Sequence, residues 1–137
     1  MAEYLLDTNH LSYLQQQHLT VLHHLAALLP GDRVLTSVVN VGELLRGVYL
    51  LPEGRRRREL LQRCNQVISR MDETLLVDIA AAEKYAEIGA MLHIKGRPIP
   101  VNDIWVAAVA LARRAVLVTN DAHFSHVDSL QVENWTR

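Results

Sequence analysis

The feature that most constrains this chain is a set of short, unbroken apolar runs, each stopped by a polar residue and separated by longer segments of helical spacing. Tyr4-Leu5-Leu6 stops at Asp7, Arg33-Val34-Leu35-Thr36 at Ser37, Thr74-Leu75-Leu76-Val77 at Asp78, and Ala115-Val116-Leu117-Val118 at Thr119. Leu130-Gln131-Val132 is a candidate fifth run. A strand wetted on one side alternates polar and apolar residues. One buried on both faces does not, and such strands belong to parallel sheets covered by helices. The expected fold is therefore α/β, a three-layer α/β/α sandwich with a central parallel sheet. The intervening segments supply the helices. Ile79, Ala82, Ala86 and Gly89 share one face of a helix predicted over about 79–94, behind Asp78 as N-cap. Ser37 caps a helix through about Leu50, Pro52-Glu53-Gly54 marks a turn, and Arg55 to about Met71 reads as the next helix. Another starts at Asn102 or Asp103, after the breakers Pro98 and Pro100, and runs to about Arg114. Residues 9–29 read as helix in two pieces.

With 137 residues, 50% of them apolar, the chain has material for one core and is expected to form a single domain over residues 1–137. Fourteen basic against fifteen acidic side chains give a net charge of −1, which excludes a protein that captures polyanions by bulk charge. Any nucleic-acid contact is local. The lone Cys64 can form neither an internal disulfide nor a cysteine-based zinc site, and is expected to serve as a small apolar residue in a reducing compartment. No basic segment leads a long apolar stretch at the N-terminus and no 18 uncharged apolar residues run together. The expected location is the cytoplasm, with no membrane contact.

Ligand sites in open parallel sheets lie along the carboxyl ends of the strands, where the loops converge. That edge is acidic here. Asp7 directly follows the first strand, Asp121 follows the fourth by three residues, Asp103 opens a helix, and Glu43 lies on the helix after the second strand. Separations of 36, 60 and 18 residues mean that only folding can bring the four together. Singly, each has a plain structural explanation: Asp7 and Asp103 as caps, Glu43 as a solvated helix residue, Asp121 as a turn former. As a group they do not. Two carboxylates about 6 Å apart repel by roughly 3 kcal/mol at an effective dielectric near 20, and four acids make several such pairs. A convergent cluster calls for a cation or raised pKa values. Oxygen donors without a cysteine cluster favour Mg²⁺ or Mn²⁺ over zinc, and such an ion suits phosphodiester hydrolysis.

Four segments, Leu5-Leu6-Asp7-Thr8-Asn9, Val41-Gly42-Glu43-Leu44-Leu45-Arg46-Gly47, Asn102-Asp103-Ile104-Trp105-Val106-Ala107-Ala108 and Leu117-Val118-Thr119-Asn120-Asp121, resemble the successive motifs of PIN-domain ribonucleases, and in particular the VapC-type toxins of toxin–antitoxin pairs. The likeness covers nearly the whole chain, from these motifs to Gly96-Arg97-Pro98-Ile99 and the closing Val132-Glu133-Asn134-Trp135. It implies a PIN fold and a metal-dependent endoribonuclease whose acids are Asp7, Glu43, Asp103 and Asp121. Asp7 and Asp103 would be the main Mg²⁺ (or Mn²⁺) ligands; Glu43 and Asp121 would complete the pocket directly or through water. Water would attack phosphorus and leave 5′-phosphate and 3′-hydroxyl ends. Asn9 and Thr119 would hold the acids by hydrogen bonds. A small cognate antitoxin and a homodimer are the partners implied, beside the RNA substrate.

The remaining signals are weaker. Residues 38–70 carry seven arginines against three glutamates. The run Arg55 to Arg58 fans around a helix turn and reads as a solvated face, with Arg55 and Arg63 spaced to pair with Glu59. Arg46, three residues after Glu43, could reach a phosphate beside the metal or pair with Glu43. His123 and His126 have metal-binding spacing but read first as solvated loop residues, and His10, near Asp7, is a candidate substrate contact. Trp105 and Trp135 read as core anchors. A phospho-acceptor receiver domain would want a lysine after the last strand, and the two lysines, Lys84 and Lys95, lie in or just after a predicted helix. No Gly-x-Gly-x-x-Gly or Gly-Lys-Ser/Thr loop supports a nucleotide-binding module. A catalytically silent PIN-like scaffold would have lost one or more of the acids, and all four are present.

Overall fold

A computed structural model describes residues 1–137. In chain order it contains β1 (Glu3–Leu6), α1 (Thr8–Gln15), α2 (Leu19–Ala26), β2 (Arg33–Ser37), α3 (Val38–Tyr49), α4 (Arg55–Ser69), β3 (Glu73–Leu75), α5 (Ile79–Lys95), α6 (Val101–Arg113), β4 (Val116–Val118), a 3-10 turn (Ala122–His126) and β5 (Val132–Glu133). The five strands form one parallel sheet in the order β3-β2-β1-β4-β5. The chain steps outward from β1 to β3, then crosses back to place β4 on the other side of β1. The order therefore reverses between β1 and β4, and the loops after these two strands diverge to open a crevice.

The unbroken apolar runs do what their composition requires. Leu5, Leu35 and Leu117 turn to the face covered by α5 and α6, while Leu6, Val34 and Val118 turn to the face covered by α1 to α4. Both sets are buried, so each strand is apolar without alternation. Burying one such leucine stabilises the fold by about 2 kcal/mol. Trp135 closes the α1-to-α4 side, stacked on His24 and tilted against Tyr4. Trp105 is only half-buried and stacks on Tyr85 at 3.9 Å between centroids, an anchor between α6 and α5. Cys64 is buried in the apolar cluster, as expected, and burial pushes its thiol pKa up.

Several boundaries differ from the sequence reading: β5 is Val132–Glu133 rather than Leu130–Val132, α4 ends at Ser69, and β3 and α6 shift as well. β3 ends at Leu75, leaving Leu76 and Val77 exposed before Asp78 caps α5. An outer strand has only one neighbour, and the chain here turns away from β2 to enter the helix. α6 begins at Val101 with Pro100 as N-cap, so neither Asn102 nor Asp103 caps it. Proline's preset φ starts the helix without a side-chain cap, which leaves the Asp103 carboxylate free in the first turn.

The amino ends of the strands carry an ionic network that the sequence reading did not anticipate. Arg33 on β2 contacts Glu3 on β1 at 2.8 Å and Glu73 on β3 at 3.0 Å, and Arg113 from the end of α6 contacts the same two acids at 2.9 and 2.8 Å. These hydrogen bonds to both arginines hold the Glu73 carboxyl below its usual range. No helix of the structure is long and apolar enough to cross a membrane.

Candidate active site

The opposite edge of the sheet gathers the four predicted acids. Asp7, Glu43, Asp103 and Asp121 line one cavity of about 190 Å³ together with Thr8, Asn9, Asn40, Val106 and Phe124. No lysine or arginine is among these residues.

Asp7 leaves β1 and caps α1, its Oδ1 accepting from the backbone N–H of His10 at 2.9 Å. The same oxygen lies 3.0 Å from His10 Nδ1, and Oδ2 accepts from the Thr119 hydroxyl. Asp7 is thus both helix cap and pocket acid, the two readings being compatible. His10 is fully buried, so it is not a substrate contact. Its Nε2 accepts from the Trp135 backbone N–H at 3.3 Å, which puts the ring proton on Nδ1 and aims it at Asp7. The sequence could show His10 near Asp7 but not the chain's return through Trp135, 125 residues later.

Glu43 points in from α3. Its Oε1 accepts from Thr8 Oγ1 at 2.8 Å and Oε2 from Asn102 Nδ2 at 3.4 Å. Thr8 is held in turn by Asn40 Nδ2 at 3.2 Å, and Asn40 by the Ser37 hydroxyl at 2.6 Å. Thr8 and Asn40 were not singled out in the sequence. Asn40 sits one turn before Glu43 on the same helix. Asn9 lines the cavity but is exposed and makes no hydrogen bond to the four acids; that task falls to Thr8, because the first residue of α1 faces α3. Thr119 does bond an acid, Asp7, and also accepts from the Asp121 backbone N–H at 3.0 Å. Arg46 is exposed, lies outside the cavity lining and makes no ion pair with Glu43. On α4, Arg55 pairs with Glu59 at 2.8 Å and Arg57 stacks over Tyr49, as befits a solvated helix face.

Asp103 and Asp121 meet across the crevice through His123. The His123 Nδ1 lies 3.0 Å from Asp103 Oδ2 and 3.2 Å from Asp121 Oδ1, and its backbone N–H donates to Asp121 at 2.9 Å. One donor atom from each of the three lies within 4.8 Å of the others, an arrangement able to hold a metal ion. Burial pushes the Asp103 carboxyl above its usual range, and the charges of Asp121 and Glu43 push it further; the His123 hydrogen bond opposes both. His126 leaves this group. It lines a separate surface depression with Lys95, Arg97 and Asp128, so the two histidines do not share a ligand site.

The donor set fits a divalent cation. Four carboxylates and an imidazole supply hard oxygen ligands and one nitrogen, with no permanent positive charge in the lining. The parallel sheet, its order reversing beside an acidic crevice between two helical layers, is the α/β/α architecture expected from the sequence. The chain belongs to the PIN domain family, whose model matches residues 4–130, and to the VapC ribonucleases within it. It is 30% identical to Ribonuclease VapC1 of Haemophilus influenzae over 136 residues, 98% of each chain. With Ribonuclease VapC5 of Mycobacterium tuberculosis it shares 38% identity over 102 residues, 74% of this chain and 73% of that one. The structure of VapBC-1 from nontypeable Haemophilus influenzae superposes with a TM-score of 0.87 at 26% identity, covering 98% of this chain and 99% of the other.

Proposed function

We propose that this chain is an endoribonuclease that hydrolyses RNA phosphodiester bonds with Mg²⁺ or Mn²⁺, and that it is the toxin of a type II toxin–antitoxin pair. The observation that carries the metal-dependent reading is the convergence of four carboxylates on one cavity whose lining holds no lysine or arginine. Asp7 and Asp103 are the main ligands in this reading, with Glu43 and Asp121 completing the set directly or through water. Held by these residues, a divalent ion would supply Lewis acidity for activating water and for stabilising the departing oxygen. The chain's own residues position the parts. His10 and Thr119 hold Asp7 in one orientation. Thr8 fixes one oxygen of Glu43, leaving the other, beside Asn102, to orient a water. Arg46, exposed on α3 three residues after Glu43, meets the RNA backbone in this reading. Residues 1–137 act as one PIN domain.

The relatives support the biology. Similar chains carry the name ribonuclease, and the Haemophilus neighbour is a complex of VapC with VapB. By the same logic this chain is restrained by a small cognate antitoxin covering the acidic crevice, acts in the cytoplasm and forms a homodimer. The decisive experiment is cleavage of RNA by the purified chain with Mg²⁺ or Mn²⁺, with excess EDTA, and with Asp7→Asn. Cleavage that requires the ion and disappears in the folded variant is expected; undiminished cleavage in EDTA would remove the mechanism.

A further inference from the structure

His123 is an exposed residue of a short 3-10 turn, and one of its ring nitrogens sits between two carboxylates. We propose that His123 is itself a ligand, which makes the centre a mixed imidazole–carboxylate site that prefers Mn²⁺ and its later neighbours to Mg²⁺. The inference rests on the metal-dependent reading above and refines it.

The geometry that pairs His123 with the two acids also suits ligation. Adjacent donors around an octahedral ion with bonds near 2.1 Å are separated by about 3.0 Å. The Nδ1 contacts of 3.0 Å to Asp103 and 3.2 Å to Asp121 match that edge length, and they join the same two oxygens to one nitrogen. The turn that carries His123 is tied to Asp121 through backbone and side chain, so the imidazole is delivered together with that carboxylate rather than on an independent loop. Asp103 comes from the rigid first turn of α6. The only other imidazole near the acids, His10, has both ring nitrogens engaged, with Asp7 and with the Trp135 backbone. A neutral nitrogen donor gains more from Mn²⁺, Co²⁺ or Ni²⁺ than from Mg²⁺, which favours oxygen and holds its water tightly.

If His123 were only a placeholder that pairs the acids until an ion displaces it, its removal would leave metal affinity unchanged or raise it. The test is calorimetric titration of MnCl₂ and of MgCl₂ into the purified wild-type chain and His123→Ala, at about pH 8, above the ordinary imidazole range. Pulsed EPR of the Mn²⁺-loaded samples accompanies it. We expect His123→Ala to lose about tenfold in Mn²⁺ affinity with a smaller loss for Mg²⁺. A nitrogen coupling from a directly bound imidazole should appear in wild type and vanish in the variant. Equal or tighter Mn²⁺ binding by His123→Ala, or no nitrogen coupling in wild type, would overturn the assignment while leaving the carboxylate centre intact. Wild type that binds neither ion would overturn the metal-dependent reading and this inference with it.

Discussion

Removing one carboxylate from the crevice should stabilise the fold when no divalent ion is present, and Asp103 is the place to test it. Oxygens of Asp103 and Asp121 lie within 4.8 Å of each other, a separation at which two charges repel by about 3 kcal/mol at an effective dielectric near 20. His123 offsets part of this from 3.0 Å, and the Asp121 side chain, 34% exposed, is screened by water. A net gain of about 1 kcal/mol for Asp103→Asn is therefore reasonable, or roughly 3 °C in Tm for a chain of this size. The pH dependence has a definite sign. The folded-state pKa of Asp103 is raised by burial and by Asp121 and Glu43. Its stabilising, protonated form is complete below the unfolded pKa near ~3.9 and is lost as pH rises through the folded value. Thermal unfolding in EDTA should thus show wild type and Asp103→Asn nearly level at acid pH, with the variant ahead at neutral pH. Adding Mn²⁺ should raise the Tm of wild type and move that of the variant much less. A variant that melts below wild type at neutral pH in EDTA, or a gap that does not change with pH, would refute the repulsion argument.

His10→Ala should cost about 2–4 kcal/mol in a denaturant titration, because a fully buried ring is lost and both Asp7 and the Trp135 N–H lose a partner. Residual RNase activity at a temperature where the variant is folded should fall as well; unchanged activity would sever His10 from the site. Glu73 has its pKa lowered by Arg113 and Arg33, so its contribution to stability is present above the unfolded carboxylate pKa and lost as pH falls through the folded value. Arg113→Ala should accordingly lower Tm at neutral pH and flatten its fall on acidification. Arg46→Ala should weaken RNA binding and reduce its salt dependence, and an unchanged salt slope would take Arg46 off the substrate path.

The layers of the fold were legible because double burial leaves a mark on composition. Leu5-Leu6 and Leu117-Val118 face opposite helical layers, and only an unbroken apolar run can satisfy both. The helix starts at Ser37 and Asp78 were equally legible, since each cap bonds a backbone N–H three residues on. Which acids would share a cavity followed from strand ends and from the family motifs. What holds those acids did not. Asn40 and Thr8 are ordinary polar residues in sequence, and only the packing of α1 beside α3 joins them to Glu43. His123 carried a metal-binding spacing with His126, but the useful partner is Asp103, twenty residues upstream. Local spacing misleads here because the turn presents one histidine to the crevice and the other away from it.

The same sheet bears two carboxylate clusters, and the difference between them argues for a cation at the second. At the amino edge Glu3 and Glu73 each meet Arg33 and Arg113, so two negative charges face two positive ones. At the carboxyl edge four acids line a cavity without one lysine or arginine, and hydroxyls, amides and imidazoles are what hold them. Hydroxyl and amide donors fix the direction of a carboxylate without cancelling its charge. The chain supplies two arginines to the acids of the amino edge and none to the lining of the crevice. The charge left over at the crevice is the kind that a mobile divalent ion neutralises and a permanent side chain would block. An arginine placed there, for example by Asn9→Arg at an exposed position of the lining, should raise metal-free stability and abolish ion binding. Retention of Mn²⁺ binding by such a folded variant would show that the excess negative charge has no part in holding the ion.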